Sequence, residues 1–325
     1  MTPLQLAELR RTLPSFPQAA EDVPGMAEFC QYYGLDAVGG DEAVQHSVGT
    51  VPSGPFQLAV HLWQHSAARG TLLLLHGYYD HSGLFGKLIQ YGLSRHYSVL
   101  IFDLPGHGLS TGEMAVIDDF AAYGKAVADV LAAVELPLQK PLWVMAQSTG
   151  CASLVEFARR QPWPFSAAVM LAPLVRPASW LRVRVGHTLL HKFKDSLQRT
   201  FNQNSSDPQF LAFLQQDPLQ SRLLSLRWVG ALRRWLAALP ESDLGVGPVL
   251  VVQGDNDGTV DWRYNINVIV QLFPGSRVEY LAGAGHQLAN ESQRLRDKYL
   301  TAVDDYLSAS FMNENKADGV PHPAK

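Results

Sequence analysis

The stretch Trp143–Arg160, WVMAQSTGCASLVEFARR, decides how this chain is read. The five residues Leu142–Ala146 are apolar throughout, the pattern of a strand covered on both faces. They run into Gln147-Ser148-Thr149-Gly150, and a helical pattern follows at once over Ala152–Arg160. A serine on so abrupt a strand-to-helix turn has its hydroxyl pushed clear of the sheet, where it can act as a nucleophile. Small residues must flank it two positions either side, because the turn brings neighbouring backbone close. Here they are Ala146 and Gly150. A serine that merely caps the helix behind it would look the same in isolation, so the weight falls on what lies elsewhere in the chain.

Outward from this segment the same strand pattern recurs at Thr71–Leu75, Ser98–Phe102 and Val249–Gln253. Weaker strand signals lie at Ala43–Val51, Phe56–Gln64, Ala167–Leu171 and Arg277–Leu281. Helical patterns stand between them at Phe85–Leu93, Asp118–Val134, Tyr264–Leu272 and Ser292–Ser308. Strands alternating with helices of this length predict an α/β fold with a mostly parallel central sheet and helices on both faces. The alternation stops between Pro173 and Pro248, where the pattern predicts helices over Ala178–Phe201, Asp207–Gln215 and Ser221–Leu239 and no strand. Leu189, Phe193, Leu197 and Phe201 fall at i+4 in the first of these, one apolar stripe. The expected organisation is an N-terminal extension, partly helical, over 1–42, and a core over 43–173 and 246–308. A helical cap is expected over 174–245 and a disordered tail over 309–325.

A serine hydroxyl needs a histidine base, itself oriented by a carboxylate. In a sheet of this kind the order is serine, acid, histidine, each on a loop after a strand. His286, in Gly283-Ala284-Gly285-His286, is the only histidine beyond Val249–Gln253 apart from His322 near the C-terminus, so the base is nearly forced. Three acids share the loop after Val249–Gln253, namely Asp255, Asp257 and Asp261, and the spacing alone leaves all three open. For the oxyanion, the backbone N–H of Thr149 follows the nucleophile, and the loop opening His76-Gly77-Tyr78 offers the Tyr78 N–H. Gly77 is expected to let the backbone turn sharply there.

Three segments resemble the monoacylglycerol lipase and lysophospholipase branch of the α/β-hydrolase superfamily. HGYYDHSGLF (His76–Phe85) is similar to that family's H-G-x-x-E-H-S-x-x-[YF], with Asp80 in place of Glu. FDLPGHGLSTG (Phe102–Gly112) resembles D-x-x-G-H-G-x-S-x-G, and QGDNDGTVD with GAGH resembles the acid and histidine loops. The resemblance runs from about Ala43 to Leu307 and implies the α/β-hydrolase fold and the helical cap. It makes the acid the fourth residue of G-x-x-D, Asp257. It also implies hydrolysis of lipid-type carboxylic esters, monoacylglycerols or lysophospholipids, through an acyl-enzyme on Ser148. Two positions depart from the pattern: Ala146 stands where glycine is usual, and Gln147 where histidine is usual.

Composition narrows the partners. With 26 basic and 30 acidic residues the net charge is −4, no footprint for nucleic acid. Two cysteines, Cys30 and Cys151, cannot make a disulfide framework, and the N-terminus lacks an apolar signal-peptide core. No apolar run approaches the ~20 residues of a membrane span, so a cytoplasmic address is expected, with peripheral membrane contact through the cationic cap left open. No cofactor and no metal is expected: His76, Asp80, His81, Asp103 and His107 cluster in sequence, but Tyr78 breaks the zinc-hydrolase spacing. Thioesterase, acyltransferase and aminopeptidase chemistry use the same triad. A non-enzymatic binding module on this fold would usually have lost a triad member. Oligomeric state is not legible.

Overall fold

The structure, a computed structural model, describes residues 1–38, 43–134 and 138–317. Its core is one sheet of nine strands among the described residues, in the order β1-β2-β3-β5-β4-β6-β7-β10-β11. The strands are β1 (Gln18–Ala19), β2 (Val44–Ser53), β3 (Phe56–His65), β4 (Thr71–Leu75), β5 (Ser98–Phe102), β6 (Leu142–Gln147), β7 (Ala167–Leu171), β10 (Leu250–Gly254) and β11 (Arg277–Leu281). The β1–β2, β2–β3 and β3–β5 pairs are antiparallel, and every pair from β5 to β11 is parallel. The parallel strands β4, β5, β6, β7 and β10 are buried along their whole length, which is why they read as continuous apolar runs.

Alternation along these strands divides the interior into two cores. Leu72, Leu74, Val99, Ile101, Trp143 and Met145 face one, with Leu88 and Ile89 of α3 (Gly86–Ser94) and Tyr299 and Val303 of α10 (Gln293–Ala317). Leu73, Leu75, Leu100, Phe102, Val144 and Ala146 face the other. There they meet Tyr123 and Val127 of α4 (Ala121–Ala133), Leu154 and Val155 of α5 (Thr149–Ala158), and Ile266 and Ile269 of α9 (Trp262–Leu272). The N-terminal extension belongs to the first core rather than trailing from it. Leu6 and Leu9 of α1 (Pro3–Thr12) and Met26 and Phe29 of α2 (Met26–Tyr33) are buried there, and β1 pairs with β2. Residues 39–42 of the expected extension lie outside the described residues.

Between β7 and β10 the chain forms α6 (Trp180–Leu190), β8 (Ser196–Gln198), α7 (Pro208–Gln216), β9 (Leu223–Ser225) and α8 (Leu226–Ala237). This corrects the all-helical expectation for the segment: β8 and β9 pair antiparallel as a ribbon of their own. The expected i+4 stripe is corrected with it. The helix stops at Leu190 and Leu197 lies on β8, where pairing with Leu224 takes the place of another helical turn. Phe201 packs against the first core, whereas Leu189 and Phe193 are exposed. At the C-terminus α10 continues past residue 308 to Ala317, into the segment expected as a tail. Residues 318–325 lie outside the described residues. No helix among the described residues is long and apolar enough to cross a membrane.

Candidate active site

The site sits beyond the carboxyl ends of the parallel strands, where open α/β sheets bind their ligands. Register sets which loops meet there. Leu75 at the end of β4 lies opposite Ala146 of β6, so the loop from His76 runs beside Ser148. Gly254 at the end of β10 lies opposite Leu281 of β11, which puts the loops carrying Asp257 and His286 side by side.

Ser148 takes φ +51° and ψ −111°, left-handed backbone that a side chain tolerates only when the surroundings impose it. The imposition is visible on both sides. Its N–H donates to the Leu171 carbonyl at 3.0 Å, while its own carbonyl accepts from Leu174 N–H at 3.2 Å. Gly150 lies so close to β4 that a Cβ would stand 2.4 Å from the Leu75 oxygen and 2.8 Å from that of His76. The small residue is therefore dictated by clearance. Ala146, where glycine is the commoner choice, is fully buried in the second core.

His286 Nε2 lies 2.9 Å from Ser148 Oγ, and its Nδ1 lies 2.8 Å from Asp257 Oδ2. Asp257 is held in turn: its Oδ1 accepts from the N–H groups of Thr259 at 2.8 Å and Val260 at 3.2 Å, and its Oδ2 from Gln253 Nε2 at 3.1 Å. Burial alone would lift the Asp257 carboxyl, but the His286 charge and hydrogen bond, with these N–H donors, hold it below the ordinary carboxylate value. Burial likewise opposes the imidazolium of His286. Asp257 outweighs it and keeps that pKa above the ordinary 6.5. The other two loop acids are engaged elsewhere. Asp255 accepts from Gly283 N–H at 2.7 Å, and Asp261 pairs with Arg176 at 2.7 Å.

Neither the Tyr78 nor the Thr149 N–H is taken by a backbone carbonyl among the described residues, and both residues line the same cavity as Ser148 and His286. The chain turns at Gly77 as expected, its carbonyl accepting from Asp80 N–H at 3.1 Å, but the left-handed residue of that loop is Tyr79, at φ +73°. Gly77 is required instead by space, since a Cβ there would lie 2.8 Å from Asp80 Oδ2 and 3.3 Å from Ser148 Cβ. The Tyr78 ring stacks on Trp228 of α8 at 3.9 Å between centroids, and its hydroxyl donates to the Ala115 carbonyl at 2.6 Å.

The sequence cluster of histidines and acids pins loops. His76 Nε2 accepts from Leu104 N–H at 2.9 Å, and Asp103 accepts from Ser82 and Leu109 N–H at 2.6 and 2.7 Å. Burial pushes His76 down to about 3 and His107 to about 4, so both are neutral spacers near pH 7. His81 forms a second buried histidine–aspartate pair, with Asp217 of the segment between β7 and β10 at 2.8 Å. Its Nδ1 has no hydrogen-bond partner among the described residues, whereas the free nitrogen of His286 faces a hydroxyl. No group of His, Cys, Asp or Glu among the described residues is arranged to hold a metal.

Sequence reasoning missed a set of buried residues that fix the His286 loop. Gln147 donates to Gln287 Oε1 at 2.5 Å and accepts from Ala289 N–H at 2.7 Å, while Gln287 donates to Asp80 at 3.0 Å. Glu291 accepts from Gly285 N–H at 2.6 Å and from Ser206 N–H at 2.7 Å. Gln147 and Asp80 are visible as departures from the family pattern; nothing local marks Gln287, Glu291 or Ser206.

The cavity over Ser148 measures about 360 Å³. Its lining combines core residues, Tyr78, Leu174 and Val260 among them, with Arg199, Leu214, Leu224 and Trp228 from the segment between β7 and β10.

Residues 66–293 match the family described as serine aminopeptidase, S33 (Hydrolase_4). The chain is 24% identical to the phospholipase YtpA of Bacillus subtilis over 249 residues, covering 71% of this chain and 93% of that protein. It is 27% identical to the mouse monoglyceride lipase over 274 residues, 76% of this chain and 85% of that protein. Among solved structures, a soluble variant of the Saccharomyces cerevisiae monoglyceride lipase superposes with a TM-score of 0.67 at 18% identity, covering 82% of this chain and 96% of that one. That likeness is one of fold. With the family match spanning most of its length, the chain belongs to the serine aminopeptidase S33 (Hydrolase_4) family of α/β hydrolases.

Proposed function

We propose that this protein is a serine hydrolase of carboxylic esters, of lipid type, with Ser148, His286 and Asp257 as its triad. The observation that carries the reading is a serine on strained backbone, 2.9 Å from a histidine that is itself 2.8 Å from a buried carboxylate, opening into a cavity walled in part by apolar residues. Ser148 Oγ attacks the ester carbonyl as His286 Nε2 takes its proton. Asp257 keeps the Nδ1 proton in place and stabilises the imidazolium. The N–H groups of Tyr78 and Thr149 receive the oxyanion. The leaving alcohol takes the proton back from His286, water replaces it, and the same histidine activates that water to release the acid. Residues 174–245 serve as the cap over this chemistry. The relatives that are lipases and phospholipases favour ester over peptide substrates.

The test is turnover of p-nitrophenyl esters of increasing acyl length and of 1-monoacylglycerols by wild type and Ser148→Ala. Loss of nearly all turnover in the variant is expected; comparable rates would sink the assignment.

The cap carries a feature that favours contact with a lipid surface. Leu181, Val185 and Leu189 lie at i+4 intervals on α6 and are 71%, 50% and 64% exposed, with Phe193 at 84% just beyond. Arg182, Arg184, Lys192 and Lys194 surround them, the pairing of apolar face and cations that suits an anionic bilayer surface. Co-sedimentation with vesicles containing phosphatidylglycerol tests it. Binding that Leu189→Asp abolishes is expected, and no binding by wild type refutes the contact.

A further inference from the structure

Arg199 is a cation in the wall of the active-site cavity that makes no ion pair among the described residues. It lies just beyond β8 and lines the cavity that Ser148 and His286 also line. Among the described residues no carboxylate lies within ion-pair distance of it. Neutral groups hold it instead. Its guanidinium stacks on the Tyr79 ring at 3.7 Å and on the Phe201 ring at 4.4 Å. Its Nη1 donates to Gln220 Oε1 at 2.8 Å and to the Ser221 carbonyl at 3.2 Å. The nearby acid, Asp80, has its carboxylate taken up by the Gln287 amide at 3.0 and 3.2 Å, and burial pushes its pKa upward. A second cation, Arg222, stacks on the same Phe201 ring at 4.9 Å. Two guanidiniums thus meet at one ring, with the buried Asp80 within electrostatic reach of Arg199 but not paired to it, and the Arg199 guanidinium is partly desolvated, its pKa lowered by burial. A desolvated cation with a fixed, unpaired face recovers its lost solvation from an anion.

The two walls of the cavity differ in kind. Tyr78, Leu174, Leu224, Trp228 and Val260 belong to the packing of the second core, a surface for an acyl chain. Phe201 and Leu214 pack with the first core. Phe201, which lines the same cavity, carries the two guanidiniums. We infer that Arg199 is a specificity-determining residue that seats an anionic oxygen group, phosphate or carboxylate, on the alcohol half of the ester. This rests on the ester-hydrolase reading of the same site, and deepens it by naming the charge of the substrate.

The experiment compares three soluble hexanoyl esters: neutral 1-hexanoylglycerol, 1-hexanoylglycerol 3-phosphate, and the hexanoyl ester of glycolic acid. Wild type is expected to favour an anionic ester over the neutral one at least about tenfold in kcat/KM, the worth of a charged hydrogen bond. Arg199→Gln is expected to lower that ratio by about 10- to 100-fold, through KM, and Arg199→Lys to lower it less. Which anionic ester loses more tells phosphate from carboxylate. A second measurement needs no variant: the wild-type KM for the favoured anionic ester should rise with added salt, while that for the neutral ester should not. A ratio that Arg199→Gln leaves within threefold of wild type, both substrates falling in parallel, makes Arg199 a mere strut and overturns the inference, as does a salt-independent KM. Wild-type protein that hydrolyses none of the three overturns the ester-hydrolase reading itself.

Discussion

Replacing Asp257 by asparagine is the substitution whose outcome the geometry determines most tightly. Oδ1 accepts from two backbone N–H groups, those of Thr259 and Val260. An amide nitrogen placed there would face two donors, so the asparagine must keep its oxygen on that side. Its NH2 group then faces His286 Nδ1 across 2.8 Å and Gln253 Nε2 across 3.1 Å. The imidazole can meet an NH2 donor only by offering a bare Nδ1, which moves its proton to Nε2. There it points at Ser148 Oγ, 2.9 Å away, and can no longer accept the serine proton. In hydrolases with this triad such a tautomer error costs about 10⁴ in kcat, or about 5.4 kcal/mol of barrier at 1.36 kcal/mol per tenfold. The assay is kcat on p-nitrophenyl butyrate, with circular dichroism to verify the fold. Asp255→Asn is the control, because an amide oxygen can still accept from Gly283 N–H, and a change under about threefold is expected from so exposed a group. A kcat for Asp257→Asn within tenfold of wild type would refute the reasoning, and a larger loss in Asp255→Asn would transfer the role.

Three further outcomes follow from the same contacts. His286 must be neutral to act as base, and its pKa lies above 6.5. The kcat/KM profile should therefore be full at high pH and fall as pH drops through a midpoint above that value, and a midpoint below 6 would contradict the Asp257 pairing. Gly150→Ala places a Cβ against the backbone oxygens of Leu75 and His76, which cannot rotate away. A loss of about 1–3 kcal/mol in urea unfolding is expected together with lost esterase activity, and an unperturbed, active variant would show that the elbow has slack. Asp217→Ala removes the partner of buried His81 at 2.8 Å and of the Tyr33 hydroxyl at 2.7 Å. Breaking one side of a buried pair costs about 3–5 kcal/mol, so urea unfolding should move by that much; a shift under 1 kcal/mol would mean that the pair does not anchor the cap segment to the core.

What could be read in advance follows burial. Thr71–Leu75, Ser98–Phe102, Ala167–Leu171 and Arg277–Leu281 are strands at the bounds their sequence suggests. Except for the edge strand Arg277–Leu281 they are buried on both faces, and such a strand leaves no ambiguity of period. The ribbon β8–β9 was illegible for the opposite reason: each strand has three residues, only partly buried, and its pairing partner lies beyond α7. The N-terminal helices looked like an appendage because their apolar residues are sparse, yet Leu6, Leu9, Met26 and Phe29 complete the first core. At the site, serine, histidine and a choice of three aspartates could be named from loop order, since each follows a strand. The contacts Gln147–Gln287–Asp80 and Glu291–Ser206 join residues 85 to 207 positions apart, and no local pattern encodes such pairings. In sequence Arg199 is one of several cations of the cap, and only the fold decides which of them turns into the cavity.

The central claim, that Ser148 is the nucleophile, is tested most directly by mass spectrometry of the intact, folded protein after treatment with a fluorophosphonate. The account predicts a single adduct, located on Ser148 by peptide mapping and absent from Ser148→Ala. An adduct on another residue, or none on folded protein, would contradict it.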